Sequence, residues 1–194
     1  MNNQPFHILA ISGSVRTKSS NSALLRAAAT LAPPALHFTF YEGLDRLPHF
    51  NPDLDGDSSP ETVNDLRAQL RKADGVIICT PEYAGGVPGV LKNAIDWIVS
   101  SGEFMHKPVS VISASPLSTG GEQAHASLLV TLGMVDAAIV EGGTMTVPFV
   151  GKKMNAEGEV TDPATVDALR SLLAALAEAV QSSSLHTPVE KRSS

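Results

Sequence analysis

The sequence predicts an α/β fold in which helices cover both faces of a parallel sheet. Short apolar runs rich in β-branched residues alternate with longer segments whose apolar residues recur at helical spacing. Such a βαβ series favours parallel strands joined by right-handed crossovers. Residues 75–79 are almost continuously apolar, which is typical of a central strand covered on both faces. Small and hydroxyl residues follow three of the strands, where open α/β sheets bind their ligands.

Each element has its own signal in the chain. The strands are predicted at residues 6–11, 37–41, 75–79, 109–113 and 137–140, and the helices at about 21–31, from 60, 88–100, 122–132 and 163–181. Pro60 and Pro88 begin helices at a position that tolerates proline, and Asp162 precedes the last helix as its N-cap. Residues 42–59 form a loop long enough to be functional or mobile. Two strand orders fit, the flavodoxin-like 2-1-3-4-5 and half of a Rossmann fold.

Composition narrows the class of protein. The chain has 194 residues, 43% of them apolar and 18% charged, which predicts one domain over residues 1–185 and a polar, disordered tail at 186–194. A net charge of −6 argues against a nucleic-acid partner, and no apolar run approaches the ~20 residues of a membrane span. The single Cys79 favours a reducing, cytoplasmic compartment and a place in the core. The histidines are dispersed, so no metal site is expected.

The loop after the first strand, residues 12–22, combines hydroxyls, an amide and Arg16 with the start of a helix. Such a set suits a phosphate dianion. It lacks both the Gly-x-Gly-x-x-Gly pattern of dinucleotide folds and the Gly-Lys-Ser/Thr ending of a P-loop, so a monophosphate fits better than a pyrophosphate. Taken alone, the loop is equally consistent with a hydroxyl-rich helix cap.

Two further loops share this character. In residues 80–88, Gly85 and Gly86 leave room for a planar ring against the backbone, and Tyr83 offers a stacking surface. Residues 113–122 again place small and hydroxyl side chains after a buried strand. Either loop alone could be a plain connector. Three such loops at one edge of one sheet favour a binding site.

The motifs Gly13-Ser14-x-Arg16-x-x-Ser19-x-Asn21, Pro81-Glu82-Tyr83 and the run from Pro88 to Trp97 resemble the NADPH-dependent FMN reductase family over about residues 6–145. The resemblance implies a flavodoxin-like three-layer sandwich with the order 2-1-3-4-5. It implies bound FMN, with NADPH or NADH as electron donor and a small acceptor (flavin, quinone, azo compound or metal oxyanion) reduced in a ping-pong cycle. It also implies a homodimer or homotetramer.

Positions that match the family motifs give the expected cofactor-binding residues. Those expected at the phosphate are Ser14, Arg16, Ser19, Asn21 and Ser22; those at the isoalloxazine are Pro81, Glu82, Tyr83, Ala84 and Gly85; those closing the other side of the ring are Ser115, Gly120 and Gly121. Many members of the family have Asn where this chain has Ala84. No residue is named as catalytic, because hydride transfer to a flavin needs no acid or base from the protein.

Other interpretations remain open from the sequence. A flavin-binding electron carrier or redox sensor would share the loops but lack a nicotinamide site, and a phosphate-binding module would lack redox chemistry. The helix 88–100 has an apolar arc of ~200°, against ~100° for a simple surface helix. Either Trp97 or Val90 meets a second subunit, or the helix is deeply buried.

Overall fold

The computed structural model describes residues 4–56 and 58–186. Its sheet has five parallel strands in the order β2-β1-β3-β4-β5, which confirms the flavodoxin-like order. The strands are β1 (Phe6–Ser12), β2 (Leu36–Tyr41), β3 (Gly75–Thr80), β4 (Pro108–Ala114) and β5 (Ala138–Val147). The helices are α1 (Ser20–Leu31), α2 (Glu61–Lys72), α3 (Gly89–Asp96), α4 (Glu122–Met134) and α5 (Pro163–His186).

Two hydrophobic cores place the helices in layers on either side of the sheet. Leu66 of α2, Leu91 of α3 and Leu128 of α4 pack with one face. Leu24 of α1 and Leu172 of α5 pack with the other. Every residue of β3 is buried, because this central strand is covered on both sides. The predicted three-layer sandwich is therefore confirmed.

Strand β5 is longer than predicted, with ten residues where the sequence indicated only residues 137–140. Its pairing with β4 shifts register between Val109 and Val111. Gly143 allows this, since a Cβ there would lie 2.6 Å from the Cβ of Val140 and 2.7 Å from Ser110 Oγ. The two glycines at 142 and 143 look like a strand end in sequence but form an irregularity within the strand.

Helix α3 is shorter than predicted, since it ends at Asp96 and turns follow up to residue 106. Trp97 is fully buried. Its indole N–H donates to the Pro48 carbonyl at 2.8 Å, and its ring meets Phe50 edge-on at 5.1 Å. The suggestion that Trp97 meets a second subunit is therefore wrong, because its own chain covers it.

The segment 42–56 contains two short 3₁₀ turns, Leu44–Arg46 and Pro52–Leu54. Asn93 of α3 holds it at two points: its Oδ1 accepts from Phe50 N–H at 2.8 Å and its Nδ2 donates to the Pro48 carbonyl at 2.9 Å. Arg67 of α2 holds its far end by donating to Asp55 Oδ1 at 2.6 Å and to Ser59 Oγ at 2.9 Å. This loop is tied down by the half-buried Asn93 and the buried Arg67.

Of the predicted tail 186–194, only the backbone of His186 falls among the described residues, where it ends α5. The disorder expected of the tail therefore stays a prediction. Among the described residues, no helix is both long and apolar enough to cross a membrane.

Candidate functional site

Three loops meet at the carboxyl edge of the sheet because β1, β3 and β4 are parallel neighbours. We call them the β1 loop (residues 13–19), the β3 loop (residues 81–88) and the β4 loop (residues 115–121). Asn21 joins their bases: it is buried, its Nδ2 donates to the Ala114 carbonyl at 3.5 Å, and its Oδ1 accepts from the Cys79 thiol at 3.2 Å. The predicted residue Asn21 therefore ties α1 to the ends of β3 and β4.

The β1 loop has a rigid inner side. Ser19 caps α1, since its Oγ accepts from Ser22 N–H at 3.3 Å, and Ser14 Oγ accepts from Arg16 N–H at 3.4 Å. Ser22 Oγ donates to Ser12 Oγ at 2.9 Å. The loop also passes very close to β3, because a Cβ on Gly13 would lie 2.7 Å from Thr80 Oγ. Its conformation is therefore set without any ligand.

The outer side of the β1 loop is a set of open donors. The backbone N–H groups of Val15, Thr17 and Lys18 find no acceptor within residues 4–56 and 58–186. The side chains of Arg16 and Lys18 are exposed, and neither forms an ion pair with a described residue. Fixed N–H groups and free cations beside a helix N-terminus are what a phosphate dianion requires.

The β3 loop forms a tight hairpin turn. Tyr83 and Gly86 exchange two backbone hydrogen bonds of 3.1 Å. Between them, Ala84 and Gly85 both have positive φ, 50° and 70°. Two successive left-handed residues define a type I′ turn, in which Asn-Gly is the preferred pair. The N–H groups of Ala84 and Gly85 are unpaired within the described chain, and Tyr83 is 48% exposed beside them.

Glu82 uses its carboxylate within the fold, and its expected place at the isoalloxazine stays a prediction. Its Oε2 accepts from the backbone N–H groups of Gln123 at 2.9 Å and Ala124 at 3.1 Å, in the first turn of α4. A carboxylate there is stabilised by the helix dipole and satisfies two otherwise open donors. The side chain therefore fastens the β3 loop to α4, while Pro81 is buried next to it.

The β4 loop is held from both sides. Ser115 N–H donates to the Val147 carbonyl at 3.2 Å, and Val150 N–H donates to the Ser115 carbonyl at 3.1 Å. Gly120 and Gly121 have φ of 63° and 85°, and a Cβ on Gly120 would lie 3.0 Å from Pro148 N. Glycine is needed at this point because the loop turns against the segment that follows β5.

Exposed apolar side chains stand on or beside the three loops. They are Val15 on the β1 loop, Tyr83 on the β3 loop, Leu117 on the β4 loop and Phe149 after β5, each between 43% and 63% exposed. Phe149 has a positive φ of 52°, which is costly for a bulky residue, and its N–H donates to the Leu117 carbonyl at 3.2 Å. We call this set the apolar rim. Its members suit a planar, weakly polar ligand.

Two titratable groups near the loops, Cys79 and His125, have pKa values that are shifted by burial. Burial raises the pKa of the Cys79 thiol, which agrees with the predicted place of Cys79 in the core. Burial lowers the pKa of His125 in the first half of α4, and its Nδ1 has no partner in the described chain. Neither group belongs to the three loops.

The sequence indicated the loops but gave no role to several residues that support them. Ser12 is a hydrogen-bonding centre of the β1 loop, since its Oγ accepts from both Ser14 N–H and Ser22 Oγ. The segment 147–150 supports the β4 loop, and the early end predicted for β5 concealed it. A possible signal for this segment was the alternation of residues 144–147 beyond the two glycines.

The loops fit FMN. The β1 loop supplies open N–H groups and cations for a phosphate, and the β3 loop supplies open N–H groups beside an exposed aromatic ring for a flavin edge. A ring that approaches the turn at Gly85 also meets no Cβ from that residue. The donor sets therefore agree with the two ends of a phosphorylated flavin.

Comparison with known proteins identifies the family. A sequence model of the NADPH-dependent FMN reductase family matches residues 6–152. The chain is 31% identical over 182 residues to a quinone reductase of Escherichia coli (strain K12), covering 92% of this chain and 97% of that protein. It is 33% identical over 171 residues to an NAD(P)H-dependent FMN reductase of Pseudomonas aeruginosa, covering 87% and 92% of the two chains.

Comparison with solved structures also finds a flavoenzyme of the same fold. FerB, a flavoenzyme NAD(P)H:(acceptor) oxidoreductase from Paracoccus denitrificans, matches with a TM-score of 0.80 and 31% identity, over 91% of this chain and 98% of FerB. The family match spans well over half of the sequence and includes the β1, β3 and β4 loops. This chain belongs to the NADPH-dependent FMN reductase family.

Proposed function

We propose that the protein reduces quinones with NADPH or NADH, using both substrates in turn at one exposed face beside the apolar rim. The net reaction is NAD(P)H + H⁺ + quinone → NAD(P)⁺ + hydroquinone. Bound FMN supplies the two-electron chemistry, by accepting a hydride from the nicotinamide and delivering electrons to the quinone. The observation that carries the proposal is the position of Tyr83 and Leu117, exposed apolar side chains on loops with open N–H groups.

The chain's own residues act by positioning. The β1 loop holds the phosphate with Arg16 and the N–H groups of Val15, Thr17 and Lys18. Glu82 holds the β3 loop against α4. The turn is therefore fixed, and so is the direction of the N–H groups of Ala84 and Gly85. The rim excludes water from one side of the site and offers apolar area to a quinone ring. The relative from Escherichia coli, a quinone reductase, supports this choice of acceptor.

The test is anaerobic reduction of the FMN-loaded protein by NADPH and by NADH, followed by re-oxidation with a benzoquinone, free FMN, an azo dye or chromate. We expect bleaching by a nicotinamide donor, the highest kcat/KM with the quinone, and parallel lines in double-reciprocal plots. Bleaching without turnover of any acceptor would assign an electron carrier instead. If neither NADPH nor NADH bleached the flavin, the proposed hydride transfer from a nicotinamide would be wrong.

A matched pair of variants tests the rim. Leu117→Ser removes an exposed apolar side chain on the β4 loop, and Leu185→Ser removes one of similar exposure near the end of α5. We expect Leu117→Ser to raise the KM for the quinone several-fold and Leu185→Ser to leave it unchanged. Equal KM values in the two variants would place the quinone elsewhere.

We also propose that the protein is a homodimer or homotetramer. The exposed apolar side chains Val99, Met105, Val130 and Met134 support it, since they belong to α4 and to the turns that follow α3. Large exposed apolar patches on soluble proteins mark interaction sites. Sedimentation at micromolar concentration is expected to show a species heavier than the 20.3 kDa chain, and a single species of that mass would contradict the proposal.

A further inference from the structure

A cavity of about 320 Å³ opens on the side of the β1 loop that faces away from the β3 and β4 loops. One wall consists of Ser12, Ser14 and Arg16, which the phosphate site shares. The other wall consists of residues at and after the end of β2, among them Phe40 and Glu42. No residue of the β3 or β4 loop lines it, so a flavin ring on those loops leaves this space free.

The cavity is larger than a phosphate needs and lies at the lower end of the range for small-molecule sites, roughly 300–1,000 Å³. Its lining is mixed. Ala10, Leu25 and Leu44 are apolar, Phe40 offers a ring, and Ser12 and Ser22 offer hydroxyls. An aromatic group with polar edges suits such a lining better than a bare anion does.

Arg26 and Glu42 form a charged pair at the outer end of the cavity. The Arg26 guanidinium lies 5.5 Å from the centre of the Phe40 ring, and its Nη2 lies 3.8 Å from Glu42 Oε1. Both charged side chains are more than half exposed, at 62% and 76%, so this surface pair is weak and free to rearrange. A second cation beside Arg16 and a carboxylate beyond it are therefore available to a ligand.

The position of Glu42 has a physical meaning in related sheet geometries. Dinucleotide-binding folds place an acidic residue about 20 positions beyond the phosphate loop, where its carboxylate accepts from an adenosine ribose hydroxyl. Here Glu42 directly follows β2, the strand next to β1. A ligand that runs along the sheet edge would thus contact three places. Its ring would lie at the β3 and β4 loops, its phosphate at the β1 loop, and its adenosine at the end of β2.

We propose that this cavity binds the adenosine half of FAD, so that the protein accepts FAD as well as FMN. The inference rests on the proposed flavin site and extends it across β2. The β1 loop lacks the glycines that bring a pyrophosphate against a helix N-terminus. Arg16 and Arg26, which both line the cavity, would instead serve the second phosphate, Phe40 would serve the adenine and Glu42 the ribose.

The test is a titration of flavin-free full-length protein with FMN and with FAD, followed by flavin fluorescence. We expect the wild-type Kd for FAD to lie within about tenfold of that for FMN. Arg26→Ala and Glu42→Ala remove exposed groups and should weaken FAD by about tenfold while changing FMN less than about twofold. Arg170→Ala, an exposed arginine of α5 distant from the loops in sequence, is the control and should change neither.

The outcomes separate the two proposals. Failure of both flavins to bind would overturn the flavin site itself. Tight FMN binding with FAD more than about tenfold weaker would overturn the adenosine site alone. If Arg26→Ala weakened the two flavins equally, or neither of them, the adenosine site would also be overturned. Arg26 would then make no contact that is specific to the adenosine half of FAD. Selective loss of FAD in both variants would support it.

Discussion

The segment 42–56 and the three loops at the sheet edge are both irregular, yet they use their polar groups in opposite ways. In the segment, Asn93 and Trp97 of the α3 region and Arg67 of α2 bind its carbonyls, amides and carboxylate from beneath. In the β1 and β3 loops, N–H groups on the outer side find no acceptor among the described residues, while Ser19, Asn21 and Glu82 secure the inner side. The hydrogen bonds of the segment stabilise the fold, whereas the donors of the β1 and β3 loops remain available to a ligand.

The comparison shows that loop length is a poor guide to function. The sequence indicated that residues 42–59 would be functional or mobile because the loop is long and rich in Pro, Asp and Gly. Arg67 lies 12 positions from Asp55, and Asn93 and Trp97 lie 43 to 49 positions from the groups that they bind, so no local pattern shows these anchors. A better guide is which backbone donors remain open once side chains have been placed.

The largest expected effect comes from breaking the anchor of the segment. Arg67 is buried and donates to Asp55, Ser59 and the Trp97 carbonyl. Arg67→Met keeps most of the volume but leaves Asp55 without its charged partner. We expect the free energy of unfolding to fall by about 3 kcal/mol in urea titration, with FMN affinity of the folded protein unchanged.

A matched control and a pH series check that result. Arg170→Met breaks an exposed pair with Asp167 and should cost less than about 1 kcal/mol. Hydrogen bonds from Ser100 and Arg67 lower the pKa of Asp55, so its contribution is present above about pH 4 and is lost as the pH falls through the lowered value. The difference between wild type and Arg67→Met should therefore narrow in acid. Loss of flavin affinity in Arg67→Met would show that the segment takes part in binding.

The next effect concerns the open donors. Arg16 is exposed and forms no ion pair with a described residue, so Arg16→Ala should leave the stability of the flavin-free protein unchanged. FMN binding should weaken by about 2 kcal/mol, the value of a hydrogen bond to a charged group. Fluorescence titration measures it, and Arg16→Lys should recover part of the loss. Wild-type affinity in Arg16→Ala would remove this residue from the phosphate site.

The fold was largely readable from sequence because strong local signals agree with each other. Four of the five strands and the starts of α2, α4 and α5 were predicted within one or two residues, since apolar runs and prolines mark them. The errors fell where tertiary contacts override the local pattern. Gly142 and Gly143 hid the continuation of β5, and the burial of Trp97 depends on Pro48, far away in sequence.

The sequence predicted where the site lies, but it predicted few of the contacts that its side chains make. The three loops were identified because small and hydroxyl residues follow strands that end at one edge. What each side chain does there depends on neighbours from other elements. The resemblance places Glu82 at the flavin ring, which stays a prediction, and it does not reveal that the Glu82 carboxylate caps α4. No periodicity could reveal that α4 begins beside this glutamate.

A smaller effect tests the strain that the open loops contain. Ala84 takes a left-handed conformation in the type I′ turn, which costs an alanine about 1 kcal/mol, whereas asparagine tolerates it. Ala84→Asn should therefore stabilise the flavin-free protein by about 1 kcal/mol, and Ala84→Val should destabilise it. Thermal unfolding compares the two variants. A lower Tm in Ala84→Asn would mean that the turn is not left-handed at this position.

The smallest effect lies at Tyr41, which ends β2 directly before the segment. Its hydroxyl is buried and has no partner within the described chain, and a Cβ on Gly43 would lie 2.6 Å from it. An open polar group in the β1 loop can serve a ligand, but one that is buried only costs free energy. Burial, with Asp65 nearby, raises the pKa of Tyr41 to about 12.

Tyr41→Phe should consequently change the free energy of unfolding by less than about 1 kcal/mol at pH 7. A raised pKa means that the tyrosine loses stability as the pH climbs from its ordinary value near 10 towards 12. Phenylalanine does not ionise, so at pH 11 the variant should exceed wild type by about 1 kcal/mol in urea titration. A variant that loses stability at pH 7 and gains nothing at pH 11 would show that the Tyr41 hydroxyl has a partner, as the polar groups of the neighbouring segment do.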